Sequence, residues 1–348
     1  MSKPSEIEPL VRQNIRDLVP YSSARSEYSG NAVIWLDANE NPYNSPYNRY
    51  PDPSQTELKG VISERKEIPV ERLFLGNGSD EGIDLLFRVF CDPGVDNVIT
   101  VDPTYGMYGV SAEINWVQRK SVLLNADFSL DAGRVLDTVD ERTKMIFLCS
   151  PNNPTSNSLD RGDMVRIVDE AGCLVVVDEA YIDFSEQPSL ASLAGEKSNL
   201  VVLQTLSKAW GLAGIRLGMV IAAQELVRYL SMVKYPYNLN SLTIKKALSE
   251  LKRPGGASGW VEQIINQRGQ LQECLQEFGF VQKIHSSDSN FLLVRVGRPR
   301  HLYEFLLNKG IVIRNRSSVP LCEGCVRITV GTPEENRMLC EALKEYDG

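Results

Sequence analysis

Residues 205–218 read TLSKAWGLAGIRLG, and the interpretation of the whole chain depends on this stretch. It follows the apolar run Leu200–Gln204, which is typical of a buried strand. Lys208 places one amine just past the end of that strand, beside the hydroxyls of Thr205 and Ser207. For an isolated lysine, a solvated charge at a strand end is the more common explanation.

The residues around this lysine favour a phosphate site instead. Arg216 supplies a guanidinium group, and Gly211, Gly214 and Gly218 permit close approach of the backbone to a ligand. An amine beside a bound phosphate indicates a cofactor that carries both a phosphate and an aldehyde. Pyridoxal phosphate, which a lysine holds as a Schiff base, is such a cofactor.

Length, composition and charge limit the kind of protein and its partners. The 348 residues exceed the roughly 100–200 of one typical domain, so two lobes are expected. A net charge of -8, with no basic block, argues against a nucleic-acid partner or an anionic membrane surface. No signal core or membrane-spanning run is seen, and a cytoplasmic location is expected.

Cysteines and histidines give no support to a metal site. The seven cysteines are scattered and odd in number, which favours a reduced protein. Cys322 and Cys325 have CxxC spacing, but they lack a second ligand pair and are expected to be ordinary thiols. His285 and His301 lack metal-ligand spacing, and a Ser-His-Asp hydrolase is therefore poorly supported.

The order of predicted elements describes an α/β fold. We predict an N-terminal arm (1–30), a large domain (51–240) and a smaller α+β domain (31–50 and 241–348). Short apolar runs that alternate with helical patterns predict a mostly parallel seven-stranded sheet covered by helices. The seven runs are Leu73–Leu75, Val98–Val101, Ser121–Leu124, Met145–Cys149, Leu174–Val177, Leu200–Gln204 and Met219–Ala222.

Capping signals and further strands complete this prediction. Thr332 and Glu335 have the spacing of a capping box that begins the last helix, and Ser54 and Glu57 have the same spacing before a helix that ends near Lys66. The other predicted strands are Val33–Leu36, Asn290–Val296, Ile311–Arg314 and Val326–Val330.

Polar residues follow several of the strands, at the sheet edge where open parallel sheets bind ligands. Ser79, Asp80 and Glu81 begin a helix after a glycine turn, and amides at a helix start bind phosphate. A turn that requires positive φ explains those glycines equally well. Tyr105 can pack in the core or stack on a flat heteroaromatic ring.

The next two strand ends carry groups suited to a pyridine ring. Asn153 lies in a tight turn and can donate a hydrogen bond into the cleft. Asp178 ends an apolar strand, where a carboxylate is costly unless a cation pairs with it. A pyridinium nitrogen is such a cation, and Tyr181 can reach the phenolic oxygen of the same ring.

Three motifs resemble, in this order, those of the aspartate-aminotransferase fold family of pyridoxal-phosphate enzymes: PNNPT, DEAY and SKAWGLAGIRLG. Within the family, LVPYSSAR, LDANENP, RYPDP and VRITVGTPEEN are similar to the histidinol-phosphate aminotransferase branch. That branch implies amino transfer between L-histidinol phosphate and 2-oxoglutarate in L-histidine biosynthesis. Threonine-phosphate decarboxylases share several motifs, and an aromatic aminotransferase is a further alternative.

The resemblance also implies roles for individual side chains. The implied catalytic residues are Lys208, which binds the cofactor and moves a proton, Asp178, which holds a proton on the ring nitrogen, and Tyr181. The implied cofactor contacts include Tyr105 and Asn153 at the ring, and Ser79, Asp80, Glu81, Thr205, Ser207 and Arg216 at the phosphate. Tyr50 of a neighbouring subunit is implied to contact the same phosphate, which predicts a homodimer.

The resemblance places Tyr21, Asn39, Arg314 and Arg327 on the substrate side. Both arginines can fork onto a phosphate or a carboxylate. The alternative is that both arginines form ion pairs at the surface, and for Arg314 neither explanation is favoured. For Arg327 the surface explanation is disfavoured, because the apolar residues Val326, Ile328 and Val330 define the opposite face of its strand. Ser156 stands where the family usually has glycine, and Trp210 and Met219 also depart from its usual residues.

Overall fold

The computed structural model describes residues 7–22, 28 and 33–347, and the predicted arm therefore lies partly outside the described residues. A seven-stranded sheet has the spatial order β1-β7-β6-β5-β4-β2-β3. Only β7 runs antiparallel to its neighbours, which confirms the predicted, mostly parallel sheet. The strands are β1 (Leu73–Asn77), β2 (Asn97–Asp102), β3 (Gln118–Leu123), β4 (Thr143–Cys149), β5 (Leu174–Asp178), β6 (Leu200–Thr205) and β7 (Leu217–Ile221).

Helices cover both faces of this sheet, as the uniformly apolar strands require. Val175 and Val177 pack into one hydrophobic cluster, while Leu174 and Val176 of the same strand pack into another. The helices are α1 (Gln13–Arg16), α2 (Thr56–Lys66), α3 (Ser79–Phe90), α4 (Met107–Ile114), α5 (Ala132–Asp137), α6 (Arg161–Glu170), α7 (Gln224–Val233), α8 (Ser241–Leu251), α9 (Ser258–Gln276), α10 (Pro299–Asn308) and α11 (Pro333–Leu343). Within the described residues, no helix is long and apolar enough to cross a membrane.

A second, antiparallel sheet has the order β10-β11-β9-β8 and packs against α9, α10 and α11 around its own hydrophobic cluster. Its strands are β8 (Val281–Ile284), β9 (Phe291–Val296), β10 (Arg314–Asn315) and β11 (Cys325–Thr329). Sequence reasoning missed β8, whose residues are half-buried or exposed and give no apolar run. The domain boundaries stay a prediction; α8, which follows residue 240, packs against α2.

Two local predictions near the N-terminus are wrong. Residues 33–36 form no strand. Ser54 and Glu57 form no capping box, because the Asp52 carboxylate accepts both the Thr56 amide at 2.7 Å and the Ser54 amide at 2.8 Å. The predicted capping box at Thr332 is confirmed: its hydroxyl accepts the Glu335 amide at 3.2 Å, and Glu335 accepts the Thr332 amide at 2.7 Å.

The expectation of a fully reduced protein is wrong for one pair of cysteines. Cys274 in α9 and Cys340 in α11 form a disulfide across the smaller sheet's helical layer. Their sequence separation of 66 residues carries no spacing signal, so only the packing of the two helices brings them together. Cys322 and Cys325 are free and buried, in accord with ordinary thiols.

Candidate active site

A cleft of about 740 Å³ opens where the central strands of the large sheet end. Its walls also include residues of β10 and β11, so both sheets contribute. The cleft brings together most of the side chains that the sequence singled out: Ser79, Asp80, Tyr105, Asn153, Asp178, Tyr181, Thr205, Ser207, Lys208, Arg216, Arg314 and Arg327.

Asp178 is a buried carboxylate at the end of β5, with 3% of its surface exposed. Its Oδ2 accepts a hydrogen bond from the Tyr108 hydroxyl at 2.7 Å, and its Oδ1 accepts the Ala180 amide at 3.0 Å. Burial raises the pKa of Asp178 above its ordinary value, although both hydrogen bonds oppose the shift. No cation of the described chain pairs with it, and a cationic ligand would remove that cost.

Lys208 lies just beyond β6 and is half-buried. Burial lowers its pKa, and the positive charges of Arg327 and Arg216 lower it further, while Asp178 acts in the opposite direction. Its Nζ atom lies 5.5 Å from the ring centroid of Tyr181. These surroundings favour the neutral amine, which is the form that attacks an aldehyde.

The turn between β1 and α3 forms a cradle closed by Arg216. Gly78 has φ +77° and precedes the first turn of α3, whose N-terminus has no side-chain cap. Gly78, Ser79 and Asp80 line the cleft. A Cβ atom at Gly78 would lie 2.6 Å from Nη2 of Arg216. Arg216 itself forms an ion pair with the Asp80 carboxylate at 3.2 Å. A phosphate group at this helix start would meet both the amides and the guanidinium group.

Gly218 permits the close approach on which this cradle depends. A Cβ atom there would lie 2.1 Å from the Ser79 amide nitrogen, and a backbone atom cannot rotate away. We expect Gly218→Ala to destabilise the protein by about 1–3 kcal/mol and to weaken cofactor binding. Urea unfolding and cofactor titration measure both effects. Gly214→Ala is the matched control, since nothing lies within 4 Å of its Cβ position; equal stability of the two variants would contradict the expectation.

Asn153 and Arg327 connect the two sheets across the cleft. Nη1 of Arg327 donates to Oδ1 of Asn153 at 2.6 Å. Because arginine only donates, this bond fixes the amide orientation and leaves Nδ2 of Asn153 as a donor toward the cleft. Tyr181 packs edge-on against Phe291, with the ring centroids 5.2 Å apart. Tyr105 donates to Oδ1 of Asp80 at 3.2 Å.

Four of the predicted residues do not line this cleft. The Glu81 carboxylate accepts the Asn77 amide and the Asn238 side chain, so it faces away from the cleft. Tyr21 is 75% exposed. Asn39 and Tyr50 line a separate cleft, where Tyr50 stacks on Tyr237 with ring centroids 4.4 Å apart.

Two residues of the site were missed by sequence reasoning. Tyr108 is fully buried, stacks on Phe147 at 4.8 Å between ring centroids and donates to Asp178. Its position three residues after Tyr105 was the available signal. Arg316 lines the cleft beside Arg314, and its spacing of two residues from Arg314 could have pointed to it.

The residues present fit pyridoxal phosphate. Lys208 offers an amine for the aldehyde, Asp178 a buried anion for a ring cation, and the start of α3 with Arg216 a cradle for a phosphate. The three features lie in one cleft at the carboxyl ends of a doubly covered sheet. This architecture is that of the aspartate-aminotransferase fold.

Residues 26–343 match the family described as aminotransferase class I and II, and the chain belongs to that family. It is 52% identical over 339 residues to histidinol-phosphate aminotransferase of Parabacteroides distasonis, covering 97% of this chain and 98% of that protein. It is 50% identical over 341 residues to the enzyme of the same name from Bacteroides fragilis, covering 98% and 99%. The crystal structure of histidinol-phosphate aminotransferase from Clostridium acetobutylicum superposes with a TM-score of 0.79 at 24% identity, covering 86% of this chain and 90% of that one, which shows the shared fold.

Proposed function

We propose that this protein is a pyridoxal-phosphate-dependent histidinol-phosphate aminotransferase. It transfers the amino group of L-histidinol phosphate to 2-oxoglutarate, giving imidazole-acetol phosphate and L-glutamate, and it works reversibly in cytoplasmic L-histidine biosynthesis. The observation that carries the proposal is one cleft that combines the amine of Lys208, the buried carboxylate of Asp178, and Arg314 and Arg327, which have no acidic partner among the described residues. The relatives named histidinol-phosphate aminotransferase, which are 52% and 50% identical to this chain, support the choice of substrate.

The bound cofactor supplies an electron-withdrawing pyridinium ring, which the side chains of the protein cannot replace. The amine of Lys208 would hold the cofactor through its aldehyde and would serve as the base that moves a proton to and from the substrate α-carbon. Asp178 keeps a proton on the ring nitrogen. Nδ2 of Asn153 and the hydroxyl of Tyr181 would bind the phenolic oxygen, and Tyr105 would stack on the ring.

The start of α3 would hold the phosphate of the cofactor. The proposed donors are the backbone amides of Ser79, Asp80 and Glu81, the hydroxyls of Thr205 and Ser207, and the guanidinium group of Arg216. The backbone role of Glu81 is compatible with its side chain facing Asn238. Arg216 would exchange its Asp80 partner, which lies 3.2 Å away and is partly exposed, for the phosphate.

Arg314 and Arg327 bind the anionic end of each substrate in turn. They are paired across β10 and β11 and line the same side of the cleft. Burial lowers the pKa of Arg327, and the nearby Arg314 charge lowers it further, so an arriving anion relieves repulsion between the two. Tyr21 and Asn39 are proposed to contact the substrate from segments that lie outside the cleft in this protomer.

We propose that the active form is a homodimer in which Tyr50 contacts the cofactor phosphate of the neighbouring subunit. Tyr50 is about half exposed and lines a different cleft of its own protomer, which supports a role toward a second copy. Sedimentation of the fully active enzyme measures its assembly state. A monomer with full activity would contradict this arrangement.

Substrate preference tests the proposed reaction. We expect the purified holoenzyme to use L-histidinol phosphate with 2-oxoglutarate at a kcat/KM at least about 100-fold above that for L-phenylalanine. The reason is that L-phenylalanine carries no phosphate group for Arg314 and Arg327 to bind. We expect no release of carbon dioxide from O-phospho-L-threonine. Decarboxylation of phosphothreonine, or an equal preference for phenylalanine, would identify one of the two alternative activities instead.

A further inference from the structure

A third arginine, Arg316, lines the same cleft as Arg314 and Arg327. It lies two residues beyond Arg314, where the chain leaves β10. Its amide donates to the carbonyl of Cys325 at 2.9 Å, and its own carbonyl accepts the amide of Val319 at 2.9 Å. The backbone of Arg316 is therefore held between β11 and the following turn, which fixes where its side chain begins.

The guanidinium groups of these three arginines have no acidic partner in the described part of the chain. Burial lowers the pKa of Arg316, and the charges of Arg327 and Arg314 lower it further. The Nε atom of Arg316 is buried and lacks a hydrogen-bond partner among the described residues. An unpaired donor and uncompensated positive charge are costly unless a ligand satisfies them.

The carboxylate of glutamate and the phosphate of the phosphorylated substrate differ in how many arginines they can bind. A carboxylate has two oxygens and one charge, which a single guanidinium fork can satisfy. A phosphate monoester has three terminal oxygens and nearly two charges, so it can be shared by several guanidinium groups. Two arginines are enough for glutamate, and a third is useful only for the phosphorylated substrate.

We propose that Arg316 is a specificity-determining residue that binds the phosphate group of the phosphorylated substrate and contributes little to the binding of glutamate. This proposal rests on the proposed function, because it places that substrate in the same cleft. It differs from a structural role for Arg316, in which the side chain would only support the turn that contains Cys322 and leads into β11.

Single-turnover half-reactions of the holoenzyme, followed through cofactor absorbance, test the proposal. We expect Arg316→Gln to weaken the apparent affinity for L-histidinol phosphate by about 10- to 100-fold, as loss of a charge-assisted contact does. The affinity for L-glutamate should change by less than about threefold. Arg316→Lys keeps the positive charge but loses the bidentate hydrogen bonding of the guanidinium group. Its apparent affinity for L-histidinol phosphate should therefore lie between those of wild type and Arg316→Gln.

Arg295→Gln is the matched control. Arg295 lies in β9 of the same sheet and also has a buried Nε atom without a partner among the described residues, but it does not line the cleft. It should leave the ratio of the two affinities unchanged. Equal losses for both substrates in Arg316→Gln, or no loss for either, would overturn the proposal in favour of a structural role.

Inhibition by inorganic phosphate tests the role of Arg316 independently of which phosphorylated substrate the enzyme uses. We expect phosphate to inhibit the glutamate half-reaction competitively, with an inhibition constant about tenfold higher or more in Arg316→Gln. If the wild-type enzyme consumes L-glutamate but not L-histidinol phosphate, the proposed function fails. The inhibition constants of inorganic phosphate for wild type and Arg316→Gln still show whether Arg316 binds a phosphate group. If Arg316→Gln does not fold, Arg316→Lys is judged by the same constants, and an unchanged value overturns the proposal.

Discussion

Lys208→Ala should lower turnover by at least about 10⁴-fold, because the variant loses both the amine that holds the cofactor and the base that moves the α-proton. Steady-state assays with L-histidinol phosphate and 2-oxoglutarate measure the loss. Borohydride reduction of wild-type holoenzyme, followed by peptide mass spectrometry, should locate the cofactor on Lys208. A variant that transaminates at the wild-type rate would contradict the proposed mechanism.

Lys234 is the matched control for this labelling. Burial lowers the pKa of Lys234 to about 8, so a larger fraction of its amine is neutral at neutral pH than for an ordinary lysine. Its Nζ atom donates to the carbonyls of Pro53, Tyr235 and Pro236, and it does not line the cleft. We therefore expect no stoichiometric cofactor on Lys234. Labelling of Lys234 in place of Lys208 would show that a lowered pKa alone selects the lysine.

The rate at which the cofactor-free enzyme binds pyridoxal phosphate should depend on the protonation state of Lys208. Only the neutral amine attacks the aldehyde, so the rate should rise with pH through the pKa of Lys208 and then level off. Because burial and the charges of Arg327 and Arg216 lower that pKa, the midpoint should lie below 10.5, the ordinary value for lysine. Stopped-flow absorbance measures the midpoint, and a value at or above 10.5 would contradict the expectation.

The large sheet and most of the cleft could be predicted because their signals are local. A fully buried strand reads as a continuous apolar run, and the first polar residue after it lies at the sheet edge. Asp178 and Lys208 were identified in this way, from two strands that pair with each other in the sheet. Of the three glycines that follow Lys208, Gly218 is required by a close backbone contact, since a Cβ atom there would lie 2.1 Å from the Ser79 amide nitrogen, whereas nothing lies within 4 Å of a Cβ at Gly211 or Gly214.

The features that sequence reasoning missed depend on contacts between distant segments. Tyr108 reads as an ordinary helix residue, and only the folded chain brings its hydroxyl to Asp178. The disulfide between α9 and α11 likewise depends on helix packing rather than on spacing. At α2, Asp52 caps the helix because its two oxygens reach two amides at once, a geometry that competes with the predicted capping box.

Asp178→Asn should lower turnover by about 10²- to 10³-fold or more, the usual effect of removing a charge placed to stabilise the transition state. Asparagine has nearly the same shape, but it carries no negative charge to hold the proton on the ring nitrogen. Tyr108→Phe is the matched control: it removes the 2.7 Å hydrogen bond and keeps the carboxylate, so it should cost no more than about tenfold. A Tyr108→Phe loss as large as that of Asp178→Asn would show that the hydrogen bond, rather than the charge, is essential.

Stability should move in the opposite direction to activity. Burial raises the pKa of Asp178, so keeping it ionised at neutral pH costs folding free energy that is recovered only when a cation binds. Asp178→Asn removes this cost, and the cofactor-free variant should melt at the same or a higher temperature than cofactor-free wild type. Cofactor addition should then stabilise wild type more than the variant, because only the carboxylate pairs with the ring cation. Thermal unfolding with and without cofactor measures both differences, and a larger stabilisation of the variant would place the ring nitrogen away from Asp178.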